Sequence, residues 1–196
     1  GSLNIGLGNL SAARAQLRGD IGEDFTTVGE NLVEMGAKRE VLLLLLRQRL
    51  EAYGLSVANV RYGTTSAASE DVTEALDRAI RQYGPEVRLL GHSLGGLMIL
   101  RCLAERPELS VGPVLLLGSP VNGSRAARAL ARLPGVRWCL GDAAIEELLS
   151  RSPRAWTCSS HLGIIAGDLP WGVGSLLTDL PAPHDGAVTV AETCLQ

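Results

Sequence analysis

Aromatic side chains are scarce in this chain: one Phe, three Tyr and three Trp among 196 residues, 4% in all. So few rings cannot furnish the stacking platforms on which proteins bind single-stranded nucleic acid. Positive charge is not in excess either. Eighteen Lys and Arg face twenty-one Asp and Glu, giving a net charge of −3 and no electrostatic case for nucleic acid. The four cysteines, Cys102, Cys139, Cys158 and Cys194, include no Cys-x-x-Cys pair. Neither a zinc site nor a thioredoxin-type redox motif is indicated, and a disulfide framework is not expected. Long apolar runs are missing. The longest, Val41 to Leu46, is far too short to span a bilayer, so no stable membrane insertion is expected. No signal peptide is visible, which favours the cytoplasm, although the chain opens Gly1-Ser2 rather than with methionine. Only three histidines are present, His92, His161 and His184.

What is present is apolar residues, at 46%, and glycine, at 23 residues, which together suit one domain with a substantial core spanning residues 1–196. Residues 37–53 read as a helix with Val41, Leu42, Leu45, Leu46 and Leu50 on its apolar side, closed by Gly54. The leucine run is expected to be core. Leu55 to Val60 reads as a short strand, and Ser69 to Tyr83 as a helix with Val72, Ala75, Leu76, Ala79 and Ile80 at helical spacing. Glu86 to Leu90 is strand-like, Leu94 to Glu105 helical, and Val114 to Leu117 a continuous apolar run of the kind found in buried parallel strands. Two helical stretches follow, Ser124 to Leu133 and Asp142 to Ser150, then a strand from Leu162 to Ala166 and a short β-like segment from Ala187 to Val190. Strands alternating with helices predict an α/β fold, a mostly parallel sheet flanked by helices on both faces. Ser93, Ser119 and Asp168 each fall just after a predicted strand, so they gather on the carboxyl edge, where such sheets bind ligands.

The segment Gly91-His92-Ser93-Leu94-Gly95 joins the Glu86 to Leu90 strand to the following helix. Gly-x-Ser-x-Gly in that setting has the form of a nucleophile elbow. Glycines two places either side of the serine relieve a collision with neighbouring backbone, and the serine oxygen is held before the first amides of a helix. A glycine-rich turn with an inert serine satisfies the bare pattern equally well; the flanking elements carry the weight.

Three stretches together resemble bacterial esterases and lipases of the α/β-hydrolase superfamily. They are Arg88 to Gly96, Leu115 to Ser124 (Leu-Leu-Leu-Gly-Ser-Pro-Val-Asn-Gly-Ser), and Asp185 to Thr193 (Asp-Gly-Ala-Val-Thr-Val-Ala-Glu-Thr). The resemblance runs from about Met35 onward and leaves residues 1–34 atypical. It implies a Ser–Asp–His triad in that chain order, with Ser93 as nucleophile, Asp185 as acid and the Leu94 amide in the oxyanion hole. It also implies a small-molecule ester or lipid substrate and no metal or organic cofactor. The family carries its histidine further along the chain, whereas the eleven residues from Gly186 to Gln196 hold none. Its His-Gly strand end, source of the second oxyanion amide, has no counterpart in Thr26 to Met35. On this resemblance the chain is expected to be incomplete at both ends, marginally stable and a slow catalyst.

His184, beside Asp185, is then the substitute base; otherwise it is a loop residue. His92 is the variable residue of the elbow, and His161 is expected at the far end of its strand from Ser93. Asp-Gly is a favoured turn pair for local reasons alone, and Asp168 is the rival acid. Ser119 and Asn122 either line the acyl pocket or shape their loop. Trp138, Trp156 and Trp171 fall where lipases carry caps and either meet an acyl chain or pack in the core.

Overall fold

The computed structural model describes residues 41–60, 69–132, 147–149, 156, 158–170, 175 and 178–195. The chain divides into two compact units, Gly1–Val57 and Ala58–Gln196.

In the first unit residues 41–52 form helix α1. Its end is a Schellman motif: Gly54 N donates to Glu51 O at 2.9 Å and Leu55 N to Leu50 O at 3.2 Å, with Gly54 at φ 79°. Glycine takes this left-handed position without a β-carbon penalty. The leucine run departs from expectation. Val41, Leu42, Leu44 and Leu45 are exposed, Val41 by 56%. The reason is geometric: at about 100° per residue, six consecutive apolar residues encircle the helix, so one face cannot bury them all. The expected strand Leu55 to Val60 is also absent, those residues being irregular. Val60, in the second unit, packs against its core from a loop.

The second unit is an α/β structure built on three parallel strands. They are β1 (Leu89–His92), β2 (Val114–Leu117) and β3 (Leu162–Ile165), in the order β1-β2-β3. The register pairs Leu89 with Val114 and His92 with Leu117, then Val114 with Leu162 and Leu117 with Ile165. The flanking helices are α2 (Ser69–Tyr83), α3 (Leu94–Glu105), α4 (Arg125–Leu130) and α5 (Val190–Thr193). β1 starts three residues later than the sequence pattern suggested and takes in Gly91 and His92. Helices lie between the strands because parallel neighbours need a crossover.

α3 is the hub of the core. It packs on β1, on β2 and on α2. Leu97, Met98, Ile99, Leu100, Cys102 and Leu103 are all buried along it, and burying one such side chain is worth about 1.5–3 kcal/mol. α2 presents Val72, Leu76 and Ile80, four residues apart, to this core, as its periodicity predicts. β2 contributes Val114 and Leu116, buried, while Leu115 and Leu117 are half-buried.

Two further expectations differ locally. Ala187 to Val190 forms no strand: Thr189 makes an isolated antiparallel bridge to His184, and Val190 already opens α5. The Ser124 to Leu133 helix is shorter than expected, ending at Leu130. Of the Asp142 to Ser150 stretch only residues 147–149 are described, and they are helical.

Candidate active site

Among the described residues, three helices carry Ser or Thr at the N-cap, and one of the three is built differently. Ser124 caps α4 by accepting from Ala127 N, and Thr189 caps α5 by accepting from Glu192 N. Both have extended backbones. Ser93 stands at the head of α3 with φ 51° and ψ −121°, and its side chain makes no capping bond. It is the one non-glycine residue with positive φ among the described residues. Such a conformation costs on the order of 1–3 kcal/mol in a residue carrying a β-carbon. The local packing enforces it. A β-carbon on Gly91 would lie 2.5 Å from Gly96 Cα and 2.6 Å from Gly96 N. One on Gly96 would collide with Ser119 Oγ. β1 and α3 therefore meet almost backbone to backbone at the turn that Ser93 occupies. Its hydroxyl is not consumed by capping, and while Gly96 N donates to Ser93 O at 3.1 Å, the preceding amides of Leu94 and Gly95 have no acceptor within the helix.

Ser93 N donates to Leu117 O at 2.9 Å, so Ser93 lies level with Gly118 at the carboxyl edge of the sheet. Gly118 N in turn donates to Ile165 O at 2.8 Å, setting Gly118 beside the end of β3. Asp185 comes down onto the same place. A β-carbon on Gly167 would fall 2.7 Å from Asp185 Cβ, and one on Gly118 would fall 3.5 Å from Asp185 Oδ2. Ser93 and the Asp185 carboxylate thus flank one residue, Gly118, across strands spaced about 4.8 Å apart. The absence of a side chain at 167 is what lets Asp185 approach the strand ends.

The two oxygens of Asp185 do different things. Oδ1 accepts from Ala187 N at 2.8 Å and Val188 N at 2.7 Å, an Asx-type turn that holds the carboxylate. Oδ2 is the oxygen turned toward Gly118. Two backbone bonds close the turn, Asp185 N to Val188 O at 3.1 Å and Val190 N to Pro183 O at 2.9 Å.

His184 is half-buried in that same turn, and its Nδ1 accepts from Gly186 N at 3.0 Å. An imidazole accepting at Nδ1 carries its neutral-form proton on Nε2. A triad histidine has the opposite wiring, Nδ1–H toward the acid and a bare Nε2 toward the serine. His92 ends β1, one residue before Ser93 and level with Leu117. His161 O accepts from Val114 N ahead of β3, at the edge opposite Ser93. Asp168 is exposed, one residue beyond Gly167.

Ser119 is fully buried against α3, and among the described residues its Oγ finds no hydrogen-bond partner. Asn122 is a brace. Its Nδ2 donates to Ala191 O and Cys194 O, and its own N donates to Glu192 O. Trp156 packs against the core and donates from Nε1 to Ser160 O at 2.8 Å. Trp138 and Trp171 lie outside the described residues, as does Cys139. Cys102, Cys158 and Cys194 are free thiols.

The residue that the pattern search passed over is Glu192, 6% exposed and in the midst of these contacts. Its signal was available: Thr189-Val190-Ala191-Glu192 is a capping box, Ser/Thr followed three places on by Glu. Among the described residues no group of three His, Cys, Asp or Glu could hold a metal ion, and no helix is long and apolar enough to cross a membrane.

No family model matches the chain. No curated protein matches it either. Among solved structures the chain is similar to the crystal structure of BlEst2, a Bacillus licheniformis lipase, in its mature form. The TM-score is 0.53, with 21% identity, over 65% of this chain and 62% of that one. At this identity the likeness shows the fold alone, an α/β one. The chain spans less than two thirds of the length of that lipase.

Proposed function

We propose that this chain is a serine hydrolase of carboxylic esters, acting on a small-molecule ester or lipid through an acyl-enzyme on Ser93. The observation that carries the reading is the backbone of Ser93: positive φ, no capping bond and a place at the carboxyl edge of a parallel sheet. Strain of this kind persists only where the surroundings over-determine it, and it concentrates at functional sites. The lipase named above, similar in fold, supplies the substrate class.

In the proposed reaction Ser93 Oγ attacks the ester carbonyl, its proton leaves to a base, and the carbonyl oxygen becomes an oxyanion facing the Leu94 amide. Collapse expels the alcohol, which takes up that proton. Water then adds to the acyl-enzyme by the same steps, releasing the acid and restoring Ser93. Asp185, whose Oδ2 lies on the Gly118 side, would orient that base were it an imidazole. Transfer of the acyl group to an alcohol or thiol in place of water would use the same groups.

A second reading is favoured by one specific bond, Gly186 N to His184 Nδ1. It sets His184 in the tautomer that cannot take the serine proton at Nε2, so hydrolysis by this chain is slow. A serine without its base is a weak nucleophile at neutral pH, yet oxyanion and binding contributions survive, about 10³–10⁴ over water in model serine proteases.

Both are tested by one experiment. The chain is treated with a fluorophosphonate and, separately, assayed on p-nitrophenyl butyrate, each with and without free imidazole. Labelling confined to Ser93 and accelerated by imidazole is expected. Labelling elsewhere, or undiminished in Ser93→Ala, sinks the hydrolase reading. Ser93-dependent turnover at ordinary esterase rates without imidazole, lost in His184→Ala, sinks the slow-catalyst reading.

A further inference from the structure

We propose that Glu192 is a positioning residue for the acid side of this site, bolting the Asp185 turn to the loop that follows β2; this rests on the functional reading above only for its kinetic consequence. The carboxylate of Glu192 is buried and holds two backbone amides from opposite sides. Oε2 accepts from Thr189 N at 2.8 Å, completing the capping box of α5. Oε1 accepts from Arg125 N at 2.6 Å, the first amide of α4. A cap serves one helix. This one spans sixty-seven residues of sequence to tie α5 to α4.

The consequence lies four residues upstream of Thr189. The Asp185 turn continues directly into α5, with Val190 N bound back to Pro183 O. The Gly118 to Ser124 loop continues directly into α4. One face of the tie therefore carries Asp185 and the other carries Gly118, the residue toward which Asp185 Oδ2 is turned. Asn122 repeats the link with bonds to Ala191 O and Cys194 O. Among these links only Glu192 uses a charged group, and charge-assisted bonds to backbone amides are the stronger kind. Releasing Oε1 leaves the turn held by its internal bonds but free to lift from the strand ends.

The test is hydrogen exchange on the full chain carrying Glu192→Gln. One oxygen becomes an amide that cannot accept, so one of the two backbone amides loses its partner. Exchange at Ala187 and Val188, whose amides hold Asp185 Oδ1, is expected to quicken about tenfold, while Ser93 and Gly118, bonded within the sheet, are unchanged. A plain helix cap would quicken only residues 190–195. Exchange unchanged at 187 and 188, or quickened equally throughout the chain, overturns the proposal.

Should Glu192→Gln fail to fold, Arg125→Pro decides the matter in the same way. It deletes the donor at a first-turn position that proline suits, after a Ser124 already in the extended conformation a following proline requires.

Kinetics give the second arm. In the Ser93-dependent hydrolysis of p-nitrophenyl butyrate with free imidazole supplying the base, Glu192→Gln is expected to lower kcat about tenfold with KM unchanged, and to lower it no further once Asp185→Asn is present. Losses that multiply in the double variant overturn positioning. A parent chain with no Ser93-dependent hydrolysis overturns the hydrolase reading instead, and the exchange data then decide the role of Glu192 alone.

Discussion

Replacing Ser93 by glycine should make this protein more stable than replacing it by alanine, and the size of the gap measures the strain held at the elbow. Both variants lose the hydroxyl, so that term cancels. Alanine keeps the β-carbon at φ 51°, ψ −121°, and with it a cost of about 1–3 kcal/mol. Glycine removes the cost but brings a more flexible unfolded chain, worth about 0.5–1 kcal/mol against it. The net gap is about 1 kcal/mol in favour of glycine. Helix N-caps complicate the comparison, because glycine is ordinarily preferred to alanine there. Ser124 provides the reference: it is also an N-cap, but at φ −107°, ψ 126°, where any residue is comfortable. The flexibility and capping terms are common to both positions, so the glycine-over-alanine gap at 93 should exceed the gap at 124 by the strain alone, about 1–3 kcal/mol, or about 2–12 °C in Tm for a chain of this size. Urea and thermal unfolding of the four variants provide the numbers. Equal gaps at the two positions would mean that Ser93 stores no strain, and the argument from its backbone to its role would fall.

Gly91→Ala should destabilise by more than about 3 kcal/mol, since its β-carbon meets only backbone of Gly95 and Gly96. Gly163→Ala should cost under about 1 kcal/mol, because the atom 3.0 Å away is the movable Cδ1 of Leu115; equal urea midpoints for the two would refute this. Ser119→Ala should be neutral or stabilising by about 1 kcal/mol, as it removes a buried hydroxyl without a partner among the described residues, and a clear loss of Tm would show that the hydroxyl bonds something. Burial pushes the Cys102 thiol from 9.0 up to about 11, against the pull of Arg106. The stabilisation tied to that proton is intact below pH 9 and is lost as the pH rises through 11, about 3 kcal/mol in total. Cys102→Ala should therefore lose less stability than the parent between pH 9 and 11, and parallel pH curves would refute the assignment.

The wiring of the acid turn shows where reading the chain residue by residue stops. Elements whose signals are local were legible in advance. The helix Ser69–Tyr83 and its buried Val72, Leu76 and Ile80 follow from a 3.6-residue period. The Gly54 cap follows from glycine's freedom at positive φ, and the elbow from five residues between a strand and a helix. Chain order of strands and helices was enough to imply a parallel sheet, since parallel neighbours need crossovers. Signals that compete locally misled. Leu55 to Val60 has strand-like composition but pairs with no strand among the described residues, and strand propensity without a partner decides nothing. Ala187 to Val190 is β-branched and apolar, yet Thr189 and Glu192 cap a helix there. The six apolar residues at 41–46 satisfy any face of a helix and so specify none.

Tertiary structure alone decided three things. Asp185 reaches the strand ends because Gly167, eighteen residues away in sequence, lacks a side chain. His184 Nδ1 is taken up by Gly186 N, a tautomer choice made by a hydrogen bond and invisible in the pair His-Asp. Glu192 bridges two helices, where sequence spacing reveals only the cap of its own. Local propensity is a property of a few consecutive residues and can be read from them. Contacts between distant segments depend on which backbones approach closely enough, and that is settled only when the sheet and its helices have packed.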